Sequence, residues 1–255
     1  MKPFLFTIFK KISTPILKNI GFKMVLVEPS TLPNIFPSEP ITVVKRISNI
    51  GQMIEEDYGH YLSIATSSSV NKNFEPLPWF TYPAIQYLQQ LDLSQKNIFE
   101  WGSGNSSLFF AERSKSVLSI EDNPEWYEKI SKQKKPNHTI ILISKEELFT
   151  CILSTGKKYD VIVIDGDNSR SSCIEPALRS LASNGMIILD NSDWFKNSAK
   201  RIREAGLIQV DMHGFGPIND YPWTTSFFLT RDFCFSPLSN IQPVNPIGGI
   251  KNVCD

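Results

Sequence analysis

The stretch FEWGSGNSSLFFA at residues 99–111, followed by VLSIED at 117–122, constrains this chain more than any other. NIFEW is an apolar run of strand length, Gly102 and Gly104 break it at a tight turn, and SSLFFAER resumes with helical character. SVLSIE is a second buried strand that ends on Glu121. A strand, a glycine turn, a helix and a strand closing on a carboxylate form the half-unit of an open parallel sheet. In such a sheet the turn and the strand tip face one crevice, a layout that binds a nucleoside-bearing ligand.

The same alternation runs on either side. AIQYLQQL reads as a helix, and PEWYEKISKQ opens with Asn123 as cap and Pro124 at the first helical position. HTIILIS, YDVIVID and GMIILD are short β-branched runs of the kind buried on both faces. Helices are predicted around 171–183 and 194–205, and QVDMHGF with TTSFFLT reads as an antiparallel pair joined by GPINDYPW. The predicted fold class is α/β: a Rossmann-like, doubly wound, mostly parallel seven-stranded sheet with a C-terminal antiparallel strand pair and an N-terminal helical extension. Residues 30–42 and 66–78, rich in Pro, Ser, Thr and Asn, read as connections around a helix within RISNIGQMIEEDYGHYLSIA. This divides the chain into an extension (1–78), a central domain (79–231) and an irregular tail (232–255).

With 255 residues and 41% hydrophobic content the chain can bury one large core. Basic and acidic residues both number 26, so no global charge draws it to nucleic acid. Cys151, Cys173, Cys234 and Cys254 have no paired spacing, which argues against a zinc site or disulfide framework and for reduced thiols in the cytoplasm. Residues 1–23 carry five lysines and no acid among apolar positions. Two readings stay open for them: peripheral contact with an anionic membrane surface, or a helix packed on its own domain or a partner. Lysines interrupt every apolar run there, so neither a spanning helix nor a cleaved signal is expected. Oligomeric state is open, a homo-oligomer included.

Three details bear on the ligand. Ser107 occupies the position where a dinucleotide site needs a third glycine. Glu100, beside Gly102, would repel a pyrophosphate but can hold an ammonium group. Asp165 and Asp190 end two later strands and place negative charge where a sulfonium would lie. Together they favour S-adenosylmethionine over NAD. Over roughly 79–231 the chain resembles the class I S-adenosylmethionine-dependent methyltransferases: EWGSGNSS is similar to that family's first motif, and Glu121 to its ribose-binding acid. The resemblance implies cofactor contacts from Glu100, Gly102, Ser103, Gly104, Ser106, Glu121, Asp122, Asp165 and Gly166, with Trp126 near the adenine.

YDVIVIDGDN and GMIILDN place Asp165, Asp190 and Asn191 at neighbouring strand ends, oxygen ligands suited to Mg²⁺. The pattern resembles the metal-dependent catechol-type O-methyltransferases, and DGDN resembles the D-G-D-H of sugar-hydroxyl methyltransferases, with Asn168 where histidine would stand. The chain departs from the catechol type in having no lysine between Asp165 and Lys196. Asp165 and His213 are the candidate catalytic residues, and Arg170 can orient an oxygen but not remove a proton. Trp79, Tyr82, Tyr221 and Trp223, in two aromatic, proline-rich loops, are candidates for an acceptor-facing wall. The expected activity is methyl transfer to a hydroxyl of a small molecule or glycan; the alternative is a non-catalytic module that holds the nucleoside.

Overall fold

The computed structural model describes residues 40–144, 147–166, 170–240 and 242–250. The basic segment 1–23 lies outside them. Contacts divide the chain into Met1–Asn49 and Ile50–Asp255. In the first unit, the described residues belong to helix α1 (Pro40–Gln52).

The second unit holds a π-helical turn at Met53–Asp57 and a short helix, α2 (His60–Thr66). The sheet region follows as α3 (Tyr82–Gln89), β1 (Asn97–Trp101), α4 (Asn105–Ala111), β2 (Ser116–Glu121), α5 (Pro124–Ser131) and β3 (His138–Leu142). After these come α6 (Cys151–Ser154), β4 (Tyr159–Ile164), α7 (Arg170–Ser180), β5 (Leu181–Leu189), α8 (Lys196–Glu204), β6 (Ile208–Gly214) and β7 (Trp223–Leu229). The seven strands lie in the order β3-β2-β1-β4-β5-β7-β6. The first five are parallel, and β7 runs antiparallel between β5 and β6.

Successive strand residues point to opposite faces. Ile98, Val161, Val163, Met186 and Ile188 join one core layer with Ile85, Leu88, Phe109 and Phe110. Their neighbours Phe99, Ile162, Ile164, Ile187 and Leu189 join the other with Ile174, Ala177 and Ile202. Both layers are buried, which is why the central strands are unbroken apolar runs. The order reverses between β1 and β4, so the loops after these two strands open one crevice at the carboxyl edge.

Asn123 caps α5 through its side-chain oxygen, which accepts the amides of Glu125 and Trp126. The short helix α6 and the early start of β5 at Leu181 lack a strong sequence signal. The chain after β7 is irregular, yet it is tied to the body. Leu238 N donates to Gln90 O at 2.7 Å, and the amides of Val244 and Ile247 donate to the side chains of Gln90 and Gln86. Among the described residues no helix is long and apolar enough to cross a membrane.

Candidate active site

The crevice is built by strand tips that hold one another. Gly102 N donates to Ile120 O at 2.9 Å, Asp165 N to Trp101 O at 3.4 Å, and Asp190 N to Ile164 O at 3.4 Å. Gly102 turns the chain with φ +88°, a region closed to most side chains. Above these tips lies a cavity of about 580 Å³, a volume suited to a nucleoside-sized ligand. All nine residues expected to contact the cofactor line it, as does Trp126. Ser68, Ser69, Trp79, Asn105, Leu148 and Phe149 also line it, and sequence reasoning did not assign them to a nucleoside site. Asn105 Nδ2 donates to Ser69 O at 2.6 Å and to Ser68 Oγ at 3.1 Å, which fixes the 66–78 connection against the start of α4.

Glu121 is buried at the tip of β2. Its Oε2 accepts the Ser103 amide at 3.0 Å, and its Oε1 accepts the amides of Asp122 and Asn123 at 3.1 and 2.9 Å. A carboxylate offers about four acceptor positions. Three are filled by backbone, leaving one open. Burial raises the pKa of Glu121, and those backbone bonds oppose the rise.

Glu100 is buried beneath the turn, and Ser107 Oγ donates to its Oε2. Ser107 also meets Ser103 Oγ at 3.3 Å; Ser119 Oγ donates to Ser103 Oγ at 3.0 Å and pairs with His138 Nε2 at 2.7 Å. The serine at the expected third-glycine position therefore begins a buried chain of hydroxyls running from β1 to β3. Burial lifts the Glu100 pKa to about 8, with Ser106 and Ser107 opposing and Asp165 and Glu121 adding. Burial lowers that of His138 to about 4. Trp126 Nε1 donates to Ser103 O, and Lys129 Nζ sits 4.0 Å from the indole centroid.

A second cavity of about 330 Å³ adjoins the first and is lined by Trp79, Asp165, Arg170, Asp190, Asn191, Trp194, Asn219, Tyr221 and Trp223. The loop before β7 reaches it because Gly216 has no side chain: a Cβ there would lie 2.3 Å from Phe80 O and 2.4 Å from the Trp223 ring. Tyr82, expected on this wall, is instead buried in the core, its hydroxyl 3.0 Å from His60 Nδ1. His213 is also placed elsewhere. It is exposed on the edge strand β6 with Nδ1 2.6 Å from Thr224 Oγ1, and neither cavity includes it.

The expected Mg²⁺ donors Asp165, Asp190 and Asn191 do come together, but not as an open ligand set. Arg170 Nη2 lies 2.8 Å from Asp165 Oδ1 and 3.0 Å from Asn191 Oδ1. Asp190 Oδ1 accepts from Trp223 Nε1 at 3.0 Å and from Thr225 Oγ1 at 2.5 Å. Burial raises the pKa of Asp190 well above the usual range, and nearby Asp165 adds to this. Mg²⁺ demands an octahedron of oxygens free to approach it, and the Oδ1 atoms of Asp165, Asp190 and Asn191 are each already engaged. Among the described residues no cluster of three His, Cys, Asp or Glu side chains offers an alternative.

No family model and no curated protein matches the chain. Solved structures that overlap it include a precorrin-6y C5,15-methyltransferase from Geobacter metallireducens GS-15, at 16% identity, 58% of this chain, 88% of that one and a TM-score of 0.46. Another is a precorrin 8w decarboxylase from Methanobacterium thermoautotrophicum, at 16% identity, 65% and 97% coverage and a TM-score of 0.45. A third is the N-methyltransferase NodS from Bradyrhizobium japonicum WM9 in complex with S-adenosyl-L-homocysteine, at 16% identity, 54% and 79% coverage and a TM-score of 0.41. Overlap at this level leaves the chemistry of the present chain to its own residues.

Proposed function

We propose that this chain is an S-adenosylmethionine-dependent methyltransferase, with residues 79–231 as its cofactor-binding domain and a hydroxyl of a small molecule or glycan as its acceptor. One observation carries the reading: two buried carboxylates, Glu100 and Glu121, flank a single cavity across the turn at Gly102–Gly104. In this reading Glu121 takes a ribose hydroxyl, and Glu100 the ammonium of an amino-acid moiety. A pyrophosphate would meet the Glu121 carboxylate at close range in a poorly solvated crevice and would keep Glu100 from ionising, which disfavours a dinucleotide.

When bound, S-adenosylmethionine would supply an electrophilic methyl group on a sulfonium. The two cavities share Trp79, Asp165 and Arg170, so an acceptor in the smaller one would lie against the donor across a common wall. Holding two reactants in line supplies roughly 7–11 kcal/mol of barrier reduction, so placement is the main contribution asked of the protein. The hydroxyl proton passes to Asp165, the carboxylate of that wall. A cytoplasmic location belongs to this reading as an expectation, with residues 1–23 either contacting a membrane surface or packing on the domain or a partner.

The test is incubation with methyl-labelled S-adenosylmethionine and a panel of sugar and aryl hydroxyl acceptors. Label in an ether product supports the reading. Tight cofactor binding with no label transferred to any acceptor would instead favour a non-catalytic module.

A further inference from the structure

Arg170 opens α7 with a side chain 9% exposed. Its guanidinium lies between two oxygens that a divalent cation would need, Asp165 Oδ1 and Asn191 Oδ1, and the Phe195 ring centroid is 4.4 Å from its central carbon. A third contact runs from the same Nη2 to the Asp165 carbonyl at 3.4 Å. The residue is thus fixed by an ion pair, an amide oxygen and a stacked ring, and it contributes to the walls of both cavities. The remaining donor, Asp190, directs Oδ1 to Trp223 and Thr225.

We infer that Arg170 is the built-in cation of this site: its guanidinium takes the position a divalent ion would hold and orients the acceptor's oxygen in the smaller cavity. A guanidinium supplies what such an ion supplies to an acceptor, a fixed positive charge beside an oxygen, and adds directional N–H donors. It needs no loading. A divalent ion at Asp165 and Asn191 would have to expel it or sit against it as a like charge. The acceptor that suits this wall carries its reacting hydroxyl beside a second oxygen, which the guanidinium holds, and packs its apolar face on Trp79, Trp194, Tyr221 and Trp223.

The acceptor part of the inference rests on the methyl-transfer reading; the exclusion of a divalent ion does not. Mn²⁺ is therefore titrated into the full chain and the free-ion electron paramagnetic resonance signal is followed for wild type, Arg170→Met and Arg170→Lys. Methionine keeps an apolar stem against Phe195 and removes the charge. The expected result is no stoichiometric binding by wild type or Arg170→Lys at millimolar Mn²⁺, and a gain of at least about tenfold in Arg170→Met. One Mn²⁺ bound per wild-type chain and lost in Asp165→Asn would overturn the inference, as would no gain in a folded Arg170→Met. Should Arg170→Met not fold, the wild-type and Arg170→Lys titrations decide it.

In the labelled-methyl screen, any acceptor turned over by wild type is expected to be insensitive to EDTA and to lose at least about tenfold in kcat with Arg170→Met. Loss of turnover in EDTA would count against the inference. Calorimetry with S-adenosylmethionine keeps the two readings apart: if no variant binds it, the methyl-transfer reading fails while the Mn²⁺ result still stands.

Discussion

The Ser103 amide lies 3.0 Å from Glu121 Oε2, so this bond joins the turn after β1 to the tip of β2 beside the one from Gly102 N to Ile120 O. This contact shapes the cavity from two directions. It holds the turn in place, and it uses one of the acceptor positions that a ribose would otherwise reach.

Glu121→Gln keeps an acceptor for part of this network and removes the charge. A hydrogen bond to a charged group is worth about 1.5–3 kcal/mol, so affinity for S-adenosylmethionine should fall by roughly 10- to 150-fold. Isothermal titration calorimetry checks this. Glu121→Ala should also lower the melting temperature, because three backbone amides lose their acceptor.

Glu100 has a folded pKa of about 8, above the 4.5 of an ordinary glutamate. The folded state therefore holds a proton that the unfolded state releases between these values, and stability is lost as pH rises through that window. Glu100→Gln, which cannot ionise, should gain in melting temperature relative to wild type as pH goes from 5 to 8, a comparison differential scanning fluorimetry makes directly. An ammonium bound beside Glu100 would favour the carboxylate, so cofactor binding to wild type near pH 7 should release protons. The observed binding enthalpy would then vary with buffer ionisation enthalpy in wild type and not in Glu100→Gln.

Gly102 has φ +88°, and a Cβ there would meet nothing closer than Gly166 N at 3.6 Å. The penalty for Gly102→Ala is therefore backbone strain rather than a clash, about 1–2 kcal/mol. A drop of roughly 2–8 °C in melting temperature is expected. Loss of cofactor affinity should accompany it, since the turn forms the cavity floor.

Trp223→Phe removes one of the two donors to Asp190 Oδ1 while keeping a ring on the cavity wall. A buried polar group left short of a partner costs about 1–3 kcal/mol. The expected fall in denaturant midpoint should be smaller in Trp223→His, where a ring nitrogen remains available. Chemical denaturation at one pH measures both.

The sheet was legible because its central strands are buried on both faces. Ile162 to Ile164 and Met186 to Leu189 leave no polar position to confuse the pattern, and Asn123-Pro124 marks the start of α5 without ambiguity. The turn and its two carboxylates were legible for a related reason: they are local in sequence, so their spacing encodes their geometry. The wall formed by Ser68 and Ser69 was not, because it depends on Asn105 capturing a polar connection 36 residues upstream of it in the chain. Tyr82 and Trp223 both sit in aromatic, proline-rich loops by sequence, yet only the packing against His60 separates the core residue from the cavity residue. The engagement of the acid cluster by Arg170 was equally hidden. Ligand-type residues at strand ends look alike whether their partner is an ion or a neighbouring side chain.

The account depends most on what enters the cavity between Glu100 and Glu121. Isothermal titration of the wild-type chain with S-adenosylmethionine, S-adenosylhomocysteine and NAD addresses this directly. Saturable one-to-one binding of both sulfur nucleosides, lost in Glu121→Gln, with no heat from NAD, is the predicted result. Binding of NAD alone would contradict it.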